Sequence, residues 1–291
     1  MKSMKKSFIV LGVLFMIFGF TRMNAQDNPS KEKMSVLDKA VIGFTFSDAD
    51  AAAIARKAIV EMDANNPVAA ATDGYAIRLN RLFGKHASSE GVTLDYKVYL
   101  VRDINAFSCA DGSVRVFAGL MDIMDDNELL AIIGHEIGHV VNHDSRDVVK
   151  AAYKKEVLLD IASSQSGAVA DLSNSQLGKL GHAMIDSKFG RKQESKADYF
   201  SYDFMKKYGY DVNAVESAFR IIQNLSEGAN ASFLTKMTSS HPDAGKRADE
   251  AKKRAEKDGL YAAYVQQKIV NTVPVKTTTK SSVKKTTTKK K

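Results

Sequence analysis

His135-Glu136-Ile137-Gly138-His139 sets two imidazoles four residues apart with a carboxylate between them. Four residues of helix turn roughly 400° and climb about 6 Å, so His135 and His139 project from one face at the separation a single tetrahedral zinc ion needs. Glu136 sits one residue round, where it can take a proton from an activated water and hand it to a leaving amine. Two satisfied histidines on a core helix would show the same pattern, so the case turns on a third ligand.

A metzincin scheme would place a glycine three residues beyond His139 and a histidine three further on; positions 142 and 145 are Asn and Ser. On a continuing helix His143 lies about another 6 Å along the axis, too far to share the ion, and reads as a helix-end or packing residue. A carboxylate from a second helix is the alternative. In Arg191-Lys192-Gln193-Glu194-Ser195-Lys196-Ala197-Asp198, Glu194 and Asp198 share a helical face. One can ligate zinc while the other accepts a hydrogen bond from the far nitrogen of a ligand histidine and fixes its tautomer. Alone this pair is a solvated face; beside the histidine pair it becomes a ligand candidate.

These residues together resemble metallopeptidase family forty-eight, the HtpX-like gluzincins related to the CAAX prenyl endoprotease. The resemblance runs from about Asp48 to about Glu256. It includes Asn105-Ala106-Phe107-Ser108 and Asp111-Gly112-Ser113-Val114-Arg115-Val116, similar to the family's edge hairpin. Gly119-Leu120 with Asp126-Asn127-Glu128-Leu129-Leu130-Ala131 resembles the lead-in to the zinc helix, and Ser240-His241-Pro242 with Arg247 the late histidine-proline motif. The stretch from Ser113 to Asp122 is similar to a small periplasmic branch whose members include outer-membrane lipoproteins.

The resemblance implies that His135, His139 and Glu194 bind one Zn2+ per chain, that Glu136 is general base and acid, and that Asp198 supports a ligand. It implies that His241 faces the metal, either stabilising the tetrahedral intermediate or occupying the open coordination position at rest. Two departures stand out. Ala110-Asp111-Gly112 replaces the family's Pro-Gly-Gly, and the transmembrane helices of the integral-membrane members have no counterpart.

The elements that must position these groups follow from periodicity and turn residues. Asp125 with Glu128 makes a capping-box-like start to an apolar helix over 128–142. Further helices are expected over 47–65, 75–87, 148–164, 175–187, 193–207, 212–225 and 243–257. A half-buried strand is expected over 93–100, and a hairpin of 106–109 with 113–117 across Asp111-Gly112. No fixed-period repeat is present, so a partner-binding helical array is not indicated.

Lys2, Lys5 and Lys6 ahead of the apolar run from Phe8 to Phe20, with small residues before Gln26, read as a signal peptide over 1–25. Thirteen residues of helix span about 20 Å, too little for a hydrocarbon core of roughly 30 Å, so no transmembrane anchor is expected in the mature chain. No cysteine is available there for lipid attachment, and the single Cys109 excludes an internal disulfide; it reads as a small buried side chain.

The formal charge of +8 comes from the chain's ends. With Lys2, Lys5, Lys6 and Arg22 at the start and the seven lysines from Lys276 to Lys291 set aside, the remainder is net −3. A nucleic-acid-binding core is therefore not expected. The Lys/Thr-rich tail over 274–291 cannot bury enough surface to order itself, and its charge suits a weak contact with an anionic surface.

The expected fold is α+β: a mainly helical gluzincin-type zincin domain over 26–273, with a small sheet and edge hairpin beside the zinc helix. The expected activity is zinc-dependent hydrolysis of internal peptide bonds in unfolded or extended proteins, as quality control in the cell envelope. The substrate would lie as an added strand along Asn105, Ala106, Phe107 and Ser108. The location would be the periplasm, peripheral to the outer membrane. A chaperone-like or binding protein with a latent peptidase site would carry the same sequence features.

Overall fold

The computed structural model describes residues 47–163, 174–186, 188–227 and 237–271. The expected signal peptide, the tail over 274–291 and the domain limits at 26 and 273 lie outside the described residues.

Helix α1 (Asp48–Asn65) starts at a capping box: Ser47 Oγ accepts from the Asp50 N–H while the Asp50 carboxylate accepts from the Ser47 N–H. Helix α2 (Gly74–Phe83) is capped by Asp73 and gives way to a single 3-10 turn over Gly84–His86, so the helix expected to 87 tightens before it ends. A two-residue hairpin that the sequence reading did not anticipate follows, β1 (Ser88–Ser89) with β2 (Val92–Thr93). Its turn residues Glu90 and Gly91 both take positive φ, the conformation such tight turns require.

Strands β3 (Asp95–Tyr99), β4 (Ala106–Ser108) and β5 (Ser113–Phe117) form the main sheet in the order β3-β5-β4. The expected hairpin across Asp111-Gly112 is present, with Phe107 opposite Arg115. Gly112 has φ 87°, and a Cβ there would lie 2.0 Å from the Thr93 carbonyl oxygen. β3 runs parallel to β5 and is shorter than expected. Its half-buried alternation also fails at the C-terminal end, where Val98 and Tyr99 are both buried because helices cover both faces of the sheet.

A short helix, α3 (Ala118–Ile123), not anticipated from the sequence, leads to the zinc helix α4 (Asp126–Val141). Then come α5 (Asp144–Ser163), α6 (Asn174–Ile185), α7 (Arg191–Lys207), α8 (Asn213–Ser226) and α9 (Ala244–Lys257). On one face of the sheet Val98, Val114 and Val116 pack with Leu129, Ile133, Ile137, Phe204 and Phe219. On the other, Tyr99, Phe107, Phe117 and buried Cys109 pack with Ile54, Ala58, Tyr153 and Leu180. There the buried Arg115 guanidinium pairs with Asp63 of α1 at 2.8 Å and Asp95 at 3.0 Å, and the Tyr99 hydroxyl and Lys97 donate to the same Asp63.

After α9 the chain does not leave the body. Residues 260–271, without helix or strand, run back to the start of the zinc helix, where the Tyr264 hydroxyl and Gln267 N–H donate to Asp125 and Gln266 Nε2 to Glu128. No helix among the described residues is long and apolar enough to cross a membrane.

Candidate metal centre

The zinc helix owes its start to Asp125, which accepts from the Glu128 N–H while Glu128 accepts from the Asp125 N–H. Two glycines in its apolar run, Gly134 and Gly138, flatten the face that meets α7. A Cβ on Gly138 would lie 3.0 Å from Ala197 Cα and one on Gly134 3.2 Å from Phe204 Cδ1. Ser201 locks this close contact by donating to the Ala131 carbonyl at 2.6 Å. The approach carries Glu194, one turn before Ala197 and two before Ser201 on the same helix, against the two histidines.

Four groups converge. His135 Nε2 lies 3.0 Å from His139 Nε2 and 3.2 Å from His241 Nδ1. The Glu194 oxygens lie 3.6 Å from His135 Nε2, 3.5 Å from His139 Nε2 and 3.0 Å from His241 Nδ1. Bonds of about 2.0–2.2 Å to a tetrahedral zinc put its ligand atoms roughly 3.3 Å apart, so this spacing fits the ion. All four residues are buried, and Glu194 Oε2 has no hydrogen bond; the Arg247 guanidinium faces it at 2.9 Å but out of line.

The electrostatics favour a cation. Burial, with Arg247 and His139 adding to it, holds His135 down to about 3 and therefore neutral, the form that ligates. His139 is pushed up to about 9: burial opposes this, but Asp144 and Glu194 prevail, together with the charge on Glu136. Glu194 is likewise buried, yet His139, His241 and Arg247 hold its carboxyl well below the usual range.

The two imidazoles of the zinc helix are each oriented from behind. His135 Nδ1 donates to Asp198 Oδ1 at 2.9 Å. Arg247 Nη2 is 3.0 Å from that nitrogen, but two donors cannot share a proton, and its hydrogen goes to Asp198 at 2.6 Å. Arg247 itself lies over the Phe219 ring, 4.1 Å from its centroid. His139 Nδ1 faces Asp144 Oδ2 at 3.0 Å. That contact exists because the zinc helix stops at Val141 and His143 takes φ 66°, turning Asp144 back beneath the histidine. His143 is not among the converging groups, as expected, although the helix that was to carry it away does not continue.

Glu136, displaced round the helix, has Oε2 3.3 Å from Ser108 Oγ of β4 and Oε1 without a hydrogen bond; burial raises its pKa. On β4 the register turns the backbone groups of Asn105 and Phe107 toward β5, where the Asn105 carbonyl accepts from the Phe117 N–H. Those of Ala106 and Ser108 point to the other edge of β4, which no strand among the described residues pairs. The Asn105 side-chain amide is buried without a partner.

The family model for Peptidase family M48 matches residues 76–255. The chain belongs to peptidase family M48. It is similar to the metalloprotease YcaL of Escherichia coli, 39% identical over 211 residues that make up 72% of this chain and 82% of that protein. With the metalloprotease LoiP of the same organism it shares 35% identity over 236 residues, 81% of this chain and 92% of LoiP. A putative beta-barrel assembly-enhancing protease of Vibrio cholerae is 29% identical over 182 residues, covering 58% of this chain and 36% of that protein. Like other M48 peptidases, the chain is a zinc metalloendopeptidase with an α+β, mainly helical fold, and the converging group above is able to hold its metal.

Sequence reasoning missed Asp144 and gave Arg247 no role. No local signal marks Asp144, which works because the chain bends at His143; Arg247 belongs to the late histidine-proline motif, but its place beside Asp198 exists only because α9 packs on α7.

Proposed function

We propose that this M48 peptidase cuts extended or unfolded protein segments in the cell envelope, exported by the segment 1–25. His135, His139 and Glu194 would hold the zinc, which supplies a Lewis acid that acidifies water and polarises the scissile carbonyl. A peptide backbone pairs with the N–H and C=O groups of Ala106 and Ser108, a mode of binding that tolerates sequence and demands an extended chain. Glu136 Oε1 takes the proton of the attacking water and delivers it to the leaving nitrogen, while Asp198 and Asp144 keep both histidines in the tautomer that leaves Nε2 free. The unpaired edge beside Glu136 is the observation that carries the unfolded-protein reading.

His241 favours a latent resting form. Its Nδ1 stands in the fourth position of the donor set and its Nε2 lies 3.5 Å from Glu136 Oε1, so it occupies the space that water and carbonyl need. Withdrawn from there, its Nε2 can donate to the developing oxyanion. The Lys-rich tail adds a weak, salt-sensitive contact with anionic envelope surfaces.

The test is digestion of casein by zinc-loaded wild type and Glu136→Gln, with and without chelator. Cleavage by wild type alone, abolished by chelator, is expected. Turnover by Glu136→Gln above about a tenth of wild type would remove the base from its role. Export predicts a mature N-terminus at Gln26.

A further inference from the structure

The two carboxylate oxygens of Glu136 stand in different surroundings. Oε1 has no hydrogen bond, while Oε2 lies 3.3 Å from the hydroxyl of Ser108. That hydroxyl stands in turn 3.3 Å from the hydroxyl of Ser145, the second residue of α5. An ionised carboxylate only accepts, so the single hydroxyl proton of Ser108 goes to Glu136 and its oxygen accepts from Ser145. The three groups form a directed chain, Ser145 to Ser108 to Glu136, in which each bond polarises the next. All three residues are buried, where a lost donor leaves its acceptor unsatisfied.

Two local features build the chain. Side chains alternate along β4, so Ala106 and Ser108 face the zinc helix while Phe107 joins the core on the opposite face of the sheet. From the other side, the turn at His143 with φ 66° sets Asp144 behind His139 and Ser145 behind Ser108. The first two residues of α5 thus brace a histidine of the candidate centre and the carboxylate beside it.

We propose that Ser108 and Ser145 are positioning residues for hydrolysis: they fix the Glu136 carboxylate by Oε2 so that Oε1 is presented to the attacking water. The inference rests on the peptidase reading above. It gives Ser108 a second part in that reading, because the residue whose backbone takes the peptide also holds the base through its side chain. A peptide paired with β4 therefore steadies the hydroxyl that aligns Glu136. Without Ser108 the carboxylate turns about its own torsions, and proton transfer depends on reach and alignment. Among the described residues no hydrogen bond joins either hydroxyl to His135, His139 or Glu194, so zinc binding should not depend on them.

The experiment compares zinc-loaded wild type with Ser108→Ala, Ser108→Val, Ser108→Thr and Ser145→Ala on casein and on an extended fluorogenic peptide. Ser108→Ala and Ser108→Val should lower kcat by about 10-fold or more, the worth of a hydrogen bond to a charged group. KM and zinc affinity should stay within about 2-fold, since the change acts on the chemical step. Ser108→Thr, which matches valine in shape and keeps the hydroxyl, should return kcat to within about 3-fold of wild type. Ser145→Ala should lower kcat by only about 3-fold, because Ser108 still donates, and should add nothing to Ser108→Ala. If Ser108→Val does not fold, Ser108→Ala against Ser108→Thr carries the comparison.

Urea denaturation of the zinc-loaded proteins gives a readout without turnover. Ser108→Ala should lower the midpoint where Glu136 is present and lower it less beside Glu136→Ala, because only the first leaves a buried carboxylate without its donor.

Equal kcat in Ser108→Thr and Ser108→Val, or a loss of zinc that accounts for the lost turnover, would overturn the positioning. Additive effects of Ser108→Ala and Ser145→Ala would remove Ser145 from it. Equal midpoint losses with and without Glu136 would overturn the tether itself. Should wild type cut neither substrate while the midpoints remain coupled, the peptidase reading fails and the tether stands.

Discussion

Asp144 Oδ2 lies 3.0 Å from Nδ1 of His139, so the second histidine of the candidate metal centre is held by the first residue of the following helix. Asp144→Ala should therefore lower zinc affinity by about 10- to 100-fold, as loss of a carboxylate behind a ligand histidine does. Asp144→Asn should cost less, because its Oδ1 still accepts. Competition against a zinc-binding dye measures both; wild-type affinity in Asp144→Ala would assign Asp144 to the helix start alone.

With zinc held as proposed, Glu194 would join α7 to the zinc helix through the metal. Glu194→Ala should lower zinc affinity and shrink the rise in melting temperature that zinc confers, since metal binding is folding free energy here. Comparing zinc-loaded with metal-free protein separates this from the loss of Arg247's partner. Asp198→Asn should be milder, about 10- to 100-fold in affinity or activity. An unchanged zinc-induced rise in Glu194→Ala would place the third ligand elsewhere.

The return of residues 260–271 to the zinc helix predicts a second dependence. Asp125 and Glu128 are fully buried, and Tyr264 and Gln266 donate to them at 2.7 and 2.6 Å. Tyr264→Phe or Gln266→Ala should each cost about 1.5–3 kcal/mol, the range for hydrogen bonds to charged groups. Urea denaturation with unchanged midpoints would show that the return segment rides on the surface without holding the zinc helix.

Acid sensitivity should trace in part to Asp63. Burial raises its pKa, but Arg115, Lys97 and Tyr99 together hold it below the usual carboxylate value. Its stabilisation is therefore fully present above the unfolded value of about 3.9 and is lost as pH falls through the lower folded value. At pH 7 Asp63→Asn should cost roughly 3–5 kcal/mol by leaving Arg115 buried and underpaired. Melting temperatures of wild type and Asp63→Asn should converge below about pH 4; parallel curves would contradict the assignment.

The sequence by itself determined whatever depends on spacing within one element. His135 and His139 share a face because the helix repeats every 3.6 residues, and Glu194 lies on the α7 face that also carries Asp198. Asp125 with Glu128 marks a helix start, and Asp111-Gly112 a hairpin, because those side chains and that glycine satisfy or permit backbone geometry locally.

Only the tertiary structure decided what crosses between elements. Gly134 and Gly138 show as gaps in an apolar run, yet their effect, bringing Glu194 to the histidines, exists only once Ala197 and Ser201 pack into them. Arg247 over Phe219, Phe189 on His139, Asp144 behind His139 and Tyr264 on Asp125 join residues whose spacing follows no periodic rule. Such contacts are fixed by how helices dock and loops bend, and a side chain's own chemistry names its kind of partner without choosing which one.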